Sequence, residues 1–258
     1  MGAVKAGTKK LSANRGDFRL IFAVLKFALF IFVVLAAEAL VTQAPPAIPS
    51  PPAAPQPAPA PPPPRFLVVL DAAHGGDNSG ARLNSQPEKA FTLALSVRLR
   101  SLLAARGIQV ITTRESDSNL NAIRRAEIAN HANAQACLSL HATESGSGVH
   151  LFASSLPPAP PARLTAWKTA QAAWVTRSLA LAGVLNSALL HAGFAVTLGR
   201  TALPEVDSMA CPAIAIEVAP DHSPGGAATD LDDPGYQARV AEALAAALLQ
   251  WKTEVRQP

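Results

Sequence analysis

From Phe66 to Trp251, short apolar runs alternate with helical patterns, and this alternation is what most constrains the fold. The run FLVVLD, Phe66 to Asp71, has no polar residue at every second place, which suits a strand buried on both faces. In EKAFTLALSVRLRSLLAARG, residues Phe91, Leu95, Leu99, Leu102 and Leu103 recur at helical spacing, and Gly107 is a stop signal. IQVITTR (108–114) is β-branched and strand-like, and LNAIRRAEIANHAN (120–133) is an amphipathic helix. ACLSLHA (136–142) and GVHLFAS (148–154) read as strands, followed by a long helix over roughly Leu164 to Ala192. FAVTL (194–198) and PAIAIEVA (212–219) are two more strands, and Asp233 to Trp251 contains the last helix. Strands alternating with helices predict a single α/β domain whose central sheet is mostly parallel and flanked by helices on both faces. In such sheets ligands gather beyond the carboxyl ends of the strands, so polar residues placed there carry the functional question.

The first 64 residues are of another kind. Residues 1–19 form a basic, cytoplasmic N-terminus, and residues 20–43 a signal peptide or transmembrane anchor. Leu20 to Ala37 is an apolar run interrupted only by Lys26, near the lower length limit for a spanning helix. Basic residues before it and none just after obey the positive-inside rule. The alternative is a cleaved secretory signal with small-residue sites at Ala37-Glu38-Ala39 and Thr42-Gln43-Ala44. Either way the remainder leaves the cytoplasm for the cell envelope, free in the periplasm or held at the inner membrane. Residues 44–64 hold twelve of the 23 prolines, so they make either an extended linker reaching about 60 Å or a disordered leader. Six basic residues against two acids lie in this part, which leaves residues 65–258 electrically balanced. The net charge of +4 therefore marks a basic tail and argues against a nucleic-acid surface.

Three strand ends carry residue types that resist burial. His74 follows the first strand on a turn with Gly75 and Gly76, His141 closes ACLSLHA, and Glu217 sits within AIAIEVA. Each has an ordinary explanation alone: a core histidine, or a carboxylate with a hidden partner. Glu88 fits a capping box in Ser85-Gln86-Pro87-Glu88, at the third helical position. Together they are more specific, because two histidines and one carboxylate with a fourth side open to water make a catalytic zinc set. A second carboxylate nearby is what metal-assisted hydrolysis needs to take a proton from water.

In order and spacing, the chain resembles the zinc-dependent N-acetylmuramoyl-L-alanine amidases of bacterial cell walls, the Amidase_3 family. The resemblance rests on five motifs over about 190 residues: Asp71-Ala72-Ala73-His74-Gly75-Gly76 with the following Glu88; Thr113-Arg114; Arg125, Ala129-Asn130 and Ala134; Ser139-Leu140-His141-Ala142; and Pro212-Ala213-Ile214-Ala215-Ile216-Glu217. It implies a phosphorylase/hydrolase-like fold over residues 65–258, one Zn2+ held by His74, Glu88 and His141, and Glu217 as the catalytic acid/base. It further implies peptidoglycan as partner and cleavage between N-acetylmuramic acid and L-alanine of the stem peptide, with any activator protein unidentified. Ala72-Ala73 replaces the family's Pro-Gly, Thr143 stands where asparagine is usual, and Val218-Ala219-Pro220-Asp221-His222 departs from the family's sequence after the glutamate. Some relatives block their zinc with a glutamate on an inserted helix; this chain has no acid between Glu144 and Glu205, so no such plug is expected. Two rivals stay open: a related zinc hydrolase such as a peptidase or deacetylase, against which the order of the motifs argues, and a weak or inactive envelope-anchored peptidoglycan-binding module, which the departure after Glu217 alone supports.

Other residues receive plainer readings. Cys137 and Cys211 are expected to be free thiols, since a cysteine in ACLSL is readily a small buried hydrophobe, although export would favour a disulfide. Arg114 and Arg200 are expected in structural ion pairs. His131, His150, His191 and His222 have no partner that sequence names, with His222 close enough to Glu217 to reach substrate.

Overall fold

The computed structural model describes residues 65–84, 86–161, 166–222 and 228–255. The basic, apolar and Pro-rich segments expected over 1–19, 20–43 and 44–64 lie outside them, as does Ser85 of the expected capping box. Six strands form one sheet: β1 (Leu67–Ala72), β2 (Gln109–Thr112), β3 (Ala136–Ala142), β4 (Val149–Ser154), β5 (Val196–Thr201) and β6 (Ala213–Val218). Their order is β2-β1-β3-β6-β4-β5, parallel throughout except where β4 meets β6. Residues 143–148 reverse the chain between β3 and β4, and β6, last in sequence, fills the space between those two strands.

The helices are α1 (Glu88–Ala105), α2 (Ala122–Ala132), α3 (Val175–His191), the short α4 (Pro204–Asp207) and α5 (Pro234–Glu254), with a 3-10 helix over Trp167–Ala173. Alternation along the strands sorts side chains to the two faces. Val68, Leu70, Leu138, Leu140, Ile214 and Ile216 face one side and pack with Leu95 and Leu99 of α1, Leu181 and Leu185 of α3, and Leu244 and Leu248 of α5. Full burial of each such leucine contributes about 1.5–3 kcal/mol. The opposite face packs smaller residues, Val69, Cys137, Ala213 and Ala215, under Ala126 and Ala129 of α2 and Val206 and Met209 around α4. Two residues further along the same face, the strands turn polar: Asp71, Ser139 and Glu217. The candidate site lies at that change.

Four expectations need correction. Cys137 and Cys211 form a disulfide with their Cα atoms 6.3 Å apart. They meet because Cys137 is in register with Ala213, two residues beyond Cys211, on neighbouring strands. Breaking this link by Cys211→Ala is expected to cost about 2–4 kcal/mol, measured by urea unfolding against the wild type under oxidising conditions. An equal loss in fully reduced wild type, with no further loss in the variant, is the matching control. The long helix expected from about 164 to 192 is broken, with a bend of 67° between the 3-10 turn and α3. Buried Gln171 holds the 3-10 turn, donating from Nε2 to Met209 O (2.8 Å) and Cys211 O (3.0 Å) while its Oε1 accepts from Ser178 Oγ (2.5 Å). The fifth strand starts at Val196, because Phe194 is still folded back on α3 through its N–H to Leu189 O, 3.1 Å. Finally, α1 begins at Glu88 with Pro87 as its N-cap and no side-chain cap, so Glu88 is the first helical residue and not the third. Among the described residues, no single helix is long and apolar enough to cross a membrane.

Candidate metal centre

Beyond β1 the chain turns through His74, Gly75 and Gly76 with φ of 62°, 132° and 58°. A histidine in the left-handed region is uncommon and needs support from its surroundings. Two arginines supply it. Arg125 donates from Nη1 to Asp71 Oδ1 (2.7 Å) and Ala72 O (2.6 Å), and from Nη2 to His74 O. Arg114 donates from Nε to Ala72 O (2.9 Å) and from Nη2 to Ala73 O (3.1 Å) and Lys89 O (2.6 Å). Every carbonyl from Ala72 to His74 therefore has a donor, as buried backbone oxygens require. Arg114 is structural as expected, but among the described residues its bonds go to carbonyl oxygens and to Thr92 Oγ1 (3.1 Å) in place of the expected ion pair. Arg200 behaves likewise, donating to Ser154 O (3.0 Å) and Leu156 O (2.8 Å).

The turn aims the His74 ring at Glu88, with Nε2 3.1 Å from Oε2. His141, leaving β3, sets its Nδ1 3.0 Å from the other oxygen, Oε1. The two rings stand edge-on, their centroids 5.4 Å apart. One ligand atom from each of His74, Glu88 and His141 lies within 4.8 Å of the others. The outer nitrogens are also engaged: His74 Nδ1 is 3.0 Å from Asn78 Oδ1, and His141 Nε2 is 3.3 Å from Ser139 Oγ. Ser139 in turn donates to Asp71 Oδ2 at 3.0 Å. Partners of this kind fix the tautomer and ring orientation of metal-binding histidines.

Glu88 is 4% exposed and accepts additionally from Ala81 N (2.8 Å) and Ala142 N (3.2 Å). Burial pushes its carboxyl up, but the hydrogen bonds from His141, His74 and Ala81 outweigh burial and hold it well below the usual carboxylate range. The His74 imidazole is raised, chiefly by its bond to Glu88 and against the effect of its own burial. Gly80 lies against both groups: with φ +68°, an added Cβ would stand 2.6 Å from Glu88 Oε2 and 2.6 Å from His74 Cδ2. Gly80→Ala is expected to spread the pair and weaken metal binding about 10–100-fold, read by chelator competition. Unchanged affinity would mean that the loop yields and that Gly80 has no part in shaping the site.

Two imidazole nitrogens and a carboxylate oxygen around one point, with both histidines lining a cavity of about 290 Å³, fit the donor set of a catalytic zinc site. His74, Glu88 and His141 could thus hold a metal ion. Glu217 stands beside this group and not within it, on β6 in register with His141 on one side and His150 on the other. Residues paired in this way share a face, so Glu217 projects on the side of the sheet that carries His141. His150 turns its Nδ1 to Thr197 Oγ1 at 2.5 Å. His222 is exposed, and its N–H donates to Ser147 Oγ at 2.8 Å. One site residue escapes the sequence reading. Glu205, on α4, brings Oε1 to 3.7 Å from His141 Nε2 and lines the same cavity. Its only local signal is Pro204, a residue type favoured at the first position of a helix.

A family model described as N-acetylmuramoyl-L-alanine amidase matches residues 68–250, from β1 into α5. The chain belongs to this family. Among curated relatives, an endolysin of Bacillus phage SPP1 is 40% identical over 89 residues, 33% of this chain and 33% of its own length. The N-acetylmuramoyl-L-alanine amidase AmiA of Escherichia coli (strain K12) is 36% identical over 94 residues, 34% of this chain and 32% of its own. The aligned stretch thus spans about a third of these relatives. The catalytic domain of CwlV, an N-acetylmuramoyl-L-alanine amidase from Bacillus (Paenibacillus) polymyxa var. colistinus, superposes with a TM-score of 0.57 at 23% identity. That superposition covers 73% of this chain and 98% of the CwlV domain, and at such identity it speaks to the shared α/β fold.

Proposed function

We propose that this member of the amidase family hydrolyses the amide between N-acetylmuramic acid and L-alanine of the stem peptide in peptidoglycan. His74, Glu88 and His141 hold a zinc ion in this reading, and Glu217 is the catalytic acid/base. The observation that carries it is the convergence of two imidazoles and a carboxylate, from three separate elements, on one point at the polar ends of the strands. Zinc bound there supplies Lewis acidity, which polarises the scissile carbonyl and lets water act as a nucleophile near neutral pH.

The remaining work belongs to the chain. Glu217, one strand from His141, accepts a proton from the attacking water and returns it to the leaving amine of L-alanine. The Arg125–Asp71 pair fixes the turn that carries His74, and Ser139 steadies His141 from behind. Residues 65–258 form the catalytic domain, and residues 1–64 deliver it to the cell envelope, where peptidoglycan is found. The test is digestion of purified peptidoglycan by the zinc-loaded full-length protein, with products identified by mass spectrometry. Intact stem peptides with a free L-alanine amine are the expected product. A folded, zinc-bearing protein that releases none would overturn hydrolysis in favour of binding, and cleavage between two amino acids would make it a peptidase.

A further inference from the structure

Glu205 is not among the residues that the proposed reaction requires, yet its carboxylate lies 3.7 Å from one of them, His141. The segment around α4 is anchored on several sides. Asp207 accepts from Ser154 Oγ (2.5 Å) and Leu203 N (3.2 Å), and Ser208 Oγ donates to Pro204 O (2.7 Å). Asn130 of α2 bridges Ser208 O (3.0 Å) and Ala210 N (2.6 Å), while the disulfide ties Cys211 to β3. Val206 and Met209 are fully buried. These contacts fix the backbone from which the Glu205 side chain projects.

What it faces is the outer nitrogen of His141. A metal taken by Nδ1 leaves the ring proton on Nε2, which then needs an acceptor. Ser139 Oγ, at 3.3 Å, has committed its own proton to Asp71, so it can receive one bond from the ring. Glu205 Oε1, at 3.7 Å, is at ion-pair range and adds a negative charge to the same side. Charge there attracts the ring N–H and holds the ring plane toward the metal. We propose that Glu205 is a positioning residue, the fixed outer carboxylate that orients His141 and strengthens its hold on the metal.

This inference rests on the reading of His141 as a metal ligand, and the experiment separates the two. Zinc affinity of the full-length protein is measured by competition with a chromogenic chelator, for wild type, Glu205→Ala and Glu205→Gln. Kinetics on soluble peptidoglycan fragments follow at saturating zinc, and thermal melts of the metal-free proteins report folding. Glu205→Ala is expected to weaken zinc binding about 10–100-fold with KM unchanged, and Glu205→Gln, which keeps an acceptor at the same place, to lose less. Should the alanine variant melt early, the glutamine variant alone decides, through an affinity below that of wild type. Wild-type affinity in both variants overturns the proposal. So does a rise in KM alone, which would make Glu205 a substrate contact, or a gain in activity, which would make it a block. A wild-type protein that takes up no zinc overturns the metal reading as well.

Discussion

Glu217→Gln is expected to slow release of stem peptides about 10²–10⁴-fold while leaving the zinc content of the protein unchanged. Glutamine keeps the shape and the hydrogen-bonding oxygen of glutamate but cannot take a proton from water. The register of β6 against β3 sets Glu217 level with His141, one strand spacing from the group that would hold the metal. The three ligand atoms come from residues that this substitution leaves alone, so the two readouts should part: rate falls and metal stays. His141→Ala should show the opposite pattern, with the metal lost first. If Glu217→Gln kept its rate, another group would have to move the proton; if it lost its zinc, Glu217 would be a ligand and not a base.

The second large effect is expected in stability. Arg125→Met should cost about 3–5 kcal/mol, because it leaves the Asp71 carboxylate buried without its charge partner. The side chains of Arg125 and Asp71 are 5% and 1% exposed, and the guanidinium also serves Ala72 O and His74 O. The adjacent residue offers a control. Arg124 pairs with Glu127 at 2.7 Å on the open surface, their side chains 63% and 46% exposed. Such pairs contribute about 0–1 kcal/mol, so Arg124→Met should scarcely move the midpoint of urea unfolding. Equal losses from both substitutions would show that Arg125 acts by packing its stem and not by its charge.

Much of this was legible in the chain itself, and the reasons are local. The strand runs at FLVVLD, ACLSLHA and AIAIEVA announce themselves because burial on both faces demands unbroken apolar sequence. His74, His141 and Glu217 stand out against those runs, and the resemblance to the amidase family assigned them roles. The described residues bring His74 and His141 onto Glu88. What stayed hidden depends on register and distance. Cys137 and Cys211 are 74 positions apart, and only the alignment of β3 with β6 makes them neighbours. Glu88 is intermediate: its local pattern suggested a cap, the resemblance named it as a ligand, and the fold turns its carboxylate to both histidines. Glu205 was out of reach because a four-residue helix has no periodicity to read. Arg114 and Arg125 showed their charge in the sequence, but the backbone oxygens they serve exist as targets only after the turn has formed.

The place of β6 has a consequence for how activity arises during synthesis. The last strand to be made becomes a central one, inserted between β3 and β4, which end 70 and 58 residues before it begins, by the counts of residues 143–212 and 155–212. Joining it closes a long loop, a step whose entropic cost comes before any reward from pairing. A chain still short of Ala213 already contains His74, Glu88 and His141, but it lacks Glu217 and the strand that lies between β3 and β4 in the finished sheet. In the proposed reading, the residues that would hold the metal and the residue that would move the proton are separated along the chain. The candidate base is thus the last part of the centre to be synthesised.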